Sequence, residues 1–244
     1  MLAFAKIDIL RMLRNRRYLV FVVTFPVLLY AINANIYGQD TSPDGVGYSV
    51  VLMVSMAAYG ALAASMMSSA VPLATERQSG WLRQLQITPL PGSAVIAVKL
   101  VTAMTLVLPS LALVSLVAIV QQGVSLPPGR WAALLVALWL GVAPFVALGL
   151  AIGSALTADA AQPVAMICMF ALAIAGGLWF PPEVFGATMK AVAELTPSYH
   201  YAGLGWSLAA GHGLAMADVL AVAGWTVVLG GLAAFLYRRA TVRA

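Results

Sequence analysis

The side chains that commonly perform catalysis are scarce in this chain of 244 residues. There are two histidines, His200 and His212, and a single cysteine, Cys168. No serine, histidine and acidic residue are expected to converge on one site, as a hydrolase would require. A single cysteine also excludes an intrachain disulfide and a metal site with several thiolate ligands. These residues therefore predict no catalytic centre.

Methionine, whose thioether can bind soft metals, occurs eleven times in this chain. Four methionines lie in one apolar run: Met53, Met56, Met66 and Met67. They could suggest copper transport, because thioethers bind soft metals. Methionine also fills irregular space between packed helices, and no cysteine or histidine accompanies this group. We favour packing, and we expect no metal ion or other cofactor in this chain.

The sequence also lacks a nucleotide-binding loop. The pattern G-x-x-x-x-G-K-[ST] does not occur, and none of the three lysines, Lys6, Lys99 and Lys190, follows a glycine. That pattern supplies the backbone amides and the lysine that hold nucleotide phosphates. The chain is therefore predicted not to be a P-loop ATPase and not to be an enzyme.

Composition identifies an integral membrane protein. Hydrophobic residues make up 62% of the chain and charged residues 9%, whereas a soluble domain has about 25% charged residues. A bilayer core about 30 Å thick requires about 20 helical residues for each crossing. Apolar runs of about that length predict an all-α fold with six transmembrane helices, at Tyr18 to Ile36, Tyr48 to Leu73, Ser93 to Val120, Trp131 to Leu156, Gln162 to Phe180 and Val219 to Leu236.

The basic residues indicate how these helices are oriented. Eleven of the thirteen lysines and arginines flank one side of the predicted bundle, and only Arg130 and Lys190 lie on the other. The positive-inside rule then places both termini, and the segment between the second and third spans, in the cytoplasm. A role in nucleic-acid binding is disfavoured because the basic residues lie at membrane ends instead of forming one patch.

The first 17 residues form a basic amphipathic segment. The apolar residues Leu2, Ile9, Leu10 and Leu13 lie on one face of the predicted helix. A neighbouring face carries Arg11, Arg14 and Arg17. Such a helix lies flat in the membrane interface, with its arginines near anionic headgroups. A simple charge cluster that sets the topology is the alternative.

Glycine and proline spacing predicts details of the helix packing. Gly149 and Gly153 are four residues apart, which allows close approach of another helix, either within the bundle or from a second chain. Pro109 and Pro144 fall in the middle of predicted spans, where each removes a backbone hydrogen bond and is expected to kink its helix.

The polar segment from residue 74 to 91 is the most informative part of the chain. Charges on Glu76, Arg77 and Arg83 place it outside the hydrocarbon, as a loop in water. Within it, three apolar residues fall on one side of a short helix that Pro89 ends, namely Trp81, Leu82 and Leu85. This side is predicted either to contact a partner protein or to pack under the transmembrane bundle.

The same segment resembles the cytoplasmic signature of ABC-2 type export permeases, the membrane subunits of bacterial exporters of the daunorubicin-resistance type. The residues that carry this resemblance are Glu76, Gly80, Leu82, Leu85, Thr88 and Pro89. The resemblance implies a coupling helix that docks on a separate ATPase. Glu76 and Gly80 would then shape the start of this helix, and Trp81, Leu82 and Leu85 would face the ATPase.

A second resemblance covers the end of the fifth predicted span and the external helical region, residues 181 to 217, before the last span. Helical spacing of four apolar residues predicts a short amphipathic helix on the outer face: Phe185, Met189, Val192 and Leu195. Gly177, Phe180 and Pro181, with Pro197 later, resemble the external region of the same family. The resemblance implies that these four residues belong to an outer gate.

The family resemblance implies a function for the whole chain as a single transmembrane domain. It would export an amphiphile, such as a drug, an antibiotic or a lipid, across the bacterial cytoplasmic membrane. Its expected partners are two copies of an ATPase that bind ATP and Mg²⁺, a second permease chain that is identical or homologous, and the lipid bilayer. The residues that bind substrate are not identifiable, although Phe25, Tyr30, Tyr59 and Phe170 could line an apolar path.

An ion-coupled secondary transporter is the alternative. Such proteins place carboxylates or histidines at membrane depth to bind the coupling ion. No Asp, Glu or His falls in the centre of the six predicted spans. Lys99 lies near a helix start, where we expect its side chain to extend to the membrane surface.

Overall fold

The computed structural model describes residues 2–15, 20–37, 45–81, 92–180, 182 and 185–242. The regular elements in these ranges are helices, which confirms the all-α prediction. They are α1 (Leu2–Leu13), a π-helical segment (Val20–Thr24) that continues into α2 (Phe25–Tyr37), α3 (Tyr48–Gln78), α4 (Gly92–Gln122), α5 (Pro128–Gly141), α6 (Ala143–Ala155), α7 (Ala158–Ala175), α8 (Ala187–Ala193), α9 (Pro197–Ala210) and α10 (Met216–Val242).

Five of the helices in the described ranges are long and apolar enough to cross a membrane. They are Tyr48–Gln78, Val95–Gln122, Pro128–Ala155, Ala158–Ala175 and Met216–Ala240. The described part of the first predicted span contains a shorter apolar helix, Val22–Tyr37, and residues 18 and 19 lie outside the described ranges. A multi-pass helical membrane protein is therefore confirmed, and a sixth crossing stays a prediction.

Helix α3 is the centre of the bundle. It contacts α2, α4, α6, α7 and α9, and 83% of its most apolar stretch is buried. The sequence explains this position, because small residues occur on several of its faces and allow neighbouring backbones to approach from different sides. Buried examples are Ala57, Gly60, Ala61, Ala64, Ser65, Ser68 and Ser69.

The two central prolines behave differently. Helix α5 ends at Gly141 and α6 begins at Ala143, so the predicted fourth span is interrupted just before Pro144. Pro109 lies inside α4, which is assigned as one helix from Gly92 to Gln122. The expected disturbance at Pro144 is therefore confirmed, whereas Pro109 does not divide its helix.

The region before the last span contains two helices, where the sequence predicted one. The predicted helix corresponds to α8, which has seven residues. The second, α9, packs against α3, α5 and α10 and buries residues such as Tyr201, Leu204 and Leu208. The Tyr201 hydroxyl donates a hydrogen bond to the Leu138 carbonyl at 2.8 Å, which joins α9 to α5.

Local signals for α9 are present in the sequence. The Thr196 hydroxyl accepts a hydrogen bond from the Tyr199 amide at 3.3 Å, and Pro197 is the first helical residue. Gly211 ends the helix with φ of +85°, a conformation that favours glycine. Thr-Pro at the start and glycine at the end are common helix boundaries, so the element could have been predicted from them.

Helices α3 and α6 meet at the two glycines that the spacing identified. A Cβ atom added at Gly153 would lie 2.5 Å from the Ala70 carbonyl oxygen, and one added at Gly149 would overlap Ser69. The predicted close approach is confirmed as a contact inside this chain. A contact of the same residues with a second chain stays untested.

We expect Gly153→Ala to destabilise the protein by about 1 to 3 kcal/mol, because the new methyl group would push α6 away from the α3 backbone. The matched control is Gly224→Ala in α10, where an added Cβ would have no heavy atom within 4 Å. Thermal unfolding of the purified protein in detergent measures both changes. Equal midpoints for the two variants would contradict the close approach.

Candidate functional site

Four charged side chains meet where α1, α3 and α4 come together. The Lys99 ammonium lies 3.0 Å from both carboxylate oxygens of Asp8 and 2.6 Å from Oε1 of Glu76. Asp8 is 4% exposed, Glu76 5% and Lys99 0%, so these three side chains are removed from solvent. The Arg11 guanidinium lies 3.9 Å from the same Glu76 oxygen, and 61% of its side chain is exposed. We call these four residues the charge cluster.

The charge cluster provides partners for a lysine ammonium that the fold buries. A buried ammonium offers three hydrogen-bond donors, and here three carboxylate oxygens lie within bonding distance. A buried charge without such partners costs several kcal/mol, so each member depends on the others. The end of α3 and the start of α4 are thereby joined to α1, which is distant from both in sequence.

Two expectations about this region are wrong. Glu76 was placed in a water-exposed loop, but α3 continues to Gln78 and buries the carboxylate. Lys99 was expected to reach the membrane surface, yet its ammonium points to the two acids inside the protein. The reason is the same in both cases: Glu76 and Lys99 form an ion pair between helices inside the protein.

Arg77, the next residue along α3, joins a second part of the bundle. Its guanidinium donates to the carbonyl oxygen of Ser154 and, at 2.6 Å, to that of Leu156. These carbonyls belong to the end of α6, where helix carbonyls lack partners within the helix and attract a cation. Gln78 Oε1 accepts the Ala158 amide at 3.0 Å, so the last turn of α3 also holds the start of α7.

The chain after α3 turns at Gly80. This residue has φ of +72°, a conformation that is unfavourable for side chains with a Cβ atom. Trp81 follows directly and is 41% exposed. Leu82, Leu85, Thr88 and Pro89 lie outside the described residues. The prediction that Trp81 shares a helical face with the two leucines therefore stays a prediction.

A cavity of about 770 Å³ lies beside the charge cluster. It extends along α3 from Thr75 to Tyr59, a distance of about 24 Å at about 1.5 Å per helical residue. Its other walls come from α1, the π-helical segment and α7. They include Asp8, Arg11, Met12, Asn15, Val22, Gln162, Met166 and Met169.

An aromatic cluster lies where the cavity reaches Tyr59. The Tyr59 ring centroid is 5.3 Å from that of Trp179 and 6.0 Å from that of Phe25. Phe170 contacts Trp179 at 5.5 Å. Three of the four aromatic residues proposed to line a path are thus brought together, although only Tyr59 contacts the cavity. Tyr30 is fully buried and is not part of this group.

Comparison with known proteins identifies the family of this chain. The family model for the ABC-2 type transporter matches residues 1–204. The chain belongs to the ABC-2 type transporter family. It is therefore a membrane subunit of an ABC transporter, and family membership implies an ABC ATPase as its partner.

The permease is also similar to a protein of Bacillus subtilis (strain 168) named "Putative transport permease YvfS". The two are 24% identical over 231 residues, which cover 94% of this chain and 93% of that protein. The similarity thus extends through nearly all of both chains and includes residues beyond the family match. It does not identify the substrate.

The predicted outer-gate residues of the permease lie in and around the turn after α7. Gly177 has φ of +74°, and a Cβ atom there would lie 2.8 Å from Pro182. Phe180 is 54% exposed, and Pro197 is buried at the start of α9. Pro181 lies outside the described residues. The role of these residues as a gate stays a prediction.

His200 links the same region to the last helix. Its Nδ1 lies 2.8 Å from Oδ1 of Asp218, and its Nε2 lies 2.8 Å from the Glu194 carbonyl oxygen. These two contacts connect α9 to α10 and to the residue that follows α8. Within the described ranges, no group of three His, Cys, Asp or Glu residues could hold a metal ion.

The methionines are found where packing would place them. Met53, Met56 and Met66 are buried in the core of α3, and Met67 lines the cavity. Asp8, Lys99 and Arg77 are the functional candidates that sequence reasoning missed. The signal was an acid within a basic amphipathic helix and a lysine flanked by Val98 and Leu100, since each charge required a partner inside the protein.

We expect Lys99→Met to destabilise the permease by about 3 to 5 kcal/mol, because two buried carboxylates would lose their shared cation. The measurement is the thermal midpoint of the purified protein in detergent. Lys190→Met is the control, since this lysine lies exposed on α8. The triple variant Asp8→Asn, Glu76→Gln, Lys99→Met should recover much of the loss. Equal stability of wild type and K99M would refute a structural role for the cluster.

Proposed function

We propose that this permease exports an amphiphile and takes its energy from a separate ATPase that acts on the loop between α3 and α4. The main support for this proposal is the charge cluster, which joins both helices that flank this loop to α1. Glu76 lies four residues before Gly80, and Lys99 lies in the second turn of α4. A force on the loop therefore acts directly on two members of the cluster.

The contacts specify how such a force would spread. Lys99 carries it to α1 through Asp8, because separating these buried charges would leave each of them without its partner. Arg77 carries it to the end of α6, and Gln78 carries it to the start of α7. Five helices thus respond to one loop, which is the mechanical requirement for switching the bundle between inward and outward states.

The cavity and the aromatic cluster support transport of an amphiphile. A volume of about 770 Å³ falls within the range of about 300 to 1,000 Å³ for small-molecule sites. Polar and charged residues at one end and methionine, valine and tyrosine at the other match a molecule with a headgroup and an apolar body. The aromatic rings between Tyr59 and the α7–α8 turn would close the path outward. In the proposed export cycle, they separate when the bundle switches.

The assembly that we propose contains two permease chains, identical or homologous, and two copies of the ATPase. ATP and Mg²⁺ would bind only to the ATPase, since the chain contains no P-loop sequence. The proposed location is the bacterial cytoplasmic membrane with both termini in the cytoplasm. An ion-coupled mechanism has no specific observation in its favour, because the buried charges of the cluster already neutralise one another.

We expect the permease to co-purify with a P-loop ATPase, and Gly80→Pro and Leu85→Asp to abolish ATP-dependent export while both variants remain in the membrane. Proline cannot adopt a positive φ, and an aspartate would place a charge on the predicted docking face. Gly213→Pro is the control, because Gly213 also has a positive φ, +80°, but lies in the distant turn before α10. Normal export by G80P and L85D would refute coupling through the loop.

Cysteine labelling tests the proposed orientation. In a Cys168→Ala background, we expect a membrane-impermeant maleimide to label His212→Cys in intact cells but not Ser79→Cys. Both positions are exposed, so access depends on the side of the membrane. Ser79→Cys should react once inverted vesicles present the cytoplasmic side. Labelling of Ser79→Cys in intact cells would reverse the topology and exclude a cytoplasmic ATPase at this loop.

A further inference from the structure

The cavity beside the charge cluster has two chemically different ends. At one end lie the polar residues Asp8, Arg11, Asn15, Thr75 and Gln162. Toward the other end the walls carry Tyr59, Ala63, Met67, Val71, Met166 and Met169. Thioether side chains adapt to irregular apolar shapes, so this part can accept a flexible hydrocarbon body. The polar end decides which headgroup would be accepted.

The accessible charge at the polar end is positive. The Arg11 side chain is 61% exposed, and its nearest carboxylate oxygen is at 3.9 Å, beyond hydrogen-bond distance. Its guanidinium therefore retains donors for another acceptor. Lys6 on α1 and Arg14, directly after the end of α1, are also exposed and add positive potential to this surface.

The acids near the cavity are poorly placed to bind a cation. Asp8 is 4% exposed and places both oxygens 3.0 Å from Lys99. Glu76 is 5% exposed, does not line the cavity and holds the same ammonium at 2.6 Å. Asp159 is exposed on the first turn of α7, but it does not line the cavity. A cationic headgroup would have to displace Lys99, which would leave that ammonium buried without its partners.

We propose that this cavity binds an amphiphile with an anionic headgroup, such as a phosphate, carboxylate or sulfate, and an apolar chain. The headgroup accepts hydrogen bonds from Arg11 at the polar end, and the chain lies between α3 and α7 among Met67, Met166 and Met169. This inference rests on the proposed function, because the bound amphiphile is the molecule to be exported. It adds the charge of the headgroup and the site of binding.

Binding of two probes with the same tail tests the headgroup. We use the purified permease in phosphatidylcholine nanodiscs, with radiolabelled dodecyl phosphate and dodecyltrimethylammonium. Wild type should bind dodecyl phosphate at least about tenfold more tightly, since a hydrogen bond between charged groups contributes roughly a factor of 10 to 100. Equal affinity for the two probes would overturn the proposal.

Matched variants locate the site. Arg11→Glu should lower the affinity for dodecyl phosphate by about tenfold or more. Arg14→Glu is an equal charge change in the turn directly after α1, at a residue that does not line the cavity, and it should have little effect. Met67→Trp should weaken binding of both probes by filling the apolar end. An equal loss in R11E and R14E would indicate surface attraction alone and would refute the cavity site, as would unchanged binding in M67W.

The source of the amphiphile and the proposed function are tested separately. Competition by phosphatidylglycerol added to the nanodiscs, lost in R11E but retained in R14E, would identify a bilayer lipid as the source of the anionic headgroup. Absence of that competition would identify an amphiphile from the cytoplasm. Failure of the probes to bind, in a preparation that still co-purifies with the ATPase and loses coupling in G80P, would reject this inference and leave the proposed function intact.

Discussion

The fold depends on one buried ammonium. Lys99 has no exposed surface, and the nearest compensation for its charge comes from acids on two other helices. Because an unpaired charge in this environment is strongly unfavourable, α1 and the end of α3 must both be present before α4 can take its place. The N-terminal helix is thus an integral part of the bundle, packed on α4 through Asp8 and Met12. Its outer surface still exposes Ile7 and Leu10, as a helix in the membrane interface would.

Hydropathy predicted most of the fold, because the bilayer requires long apolar segments to form helices. Long apolar runs have few alternatives to helices in lipid, and paired small residues such as Gly149 and Gly153 do indicate close contacts. The candidate site was harder to predict. Rules that place single charges in water could not show that Lys99 and Glu76 lie beside each other, since 22 residues separate them in sequence and their pairing exists only in the folded chain. Helix α9 was missed because its polar and aromatic residues, including His200 and Tyr201, look like those of a membrane surface.

The described helices divide into an enclosed group and an open group. Most of α3 is buried, whereas only 22% of the apolar stretch of α7 and 17% of that of α10 is covered within the chain. The remaining surface of α7 and α10 must face lipid or another protein. Since α7 also forms one wall of the cavity, whatever covers its outer side can influence how wide that cavity is.

The last two turns of α3 take part in two different sets of contacts. Pro72 and Thr75 face the cavity, while Glu76 and Arg77 hold the surrounding helices together. Proline also removes a backbone hydrogen bond at this point, which lowers the resistance to bending. Thermodynamic linkage then requires reciprocity: if a motor bound at the loop changes the affinity of the cavity by some factor, a molecule in the cavity changes the affinity for the motor by the same factor. The transported molecule and the ATPase would then each change the binding of the other through the last two turns of α3.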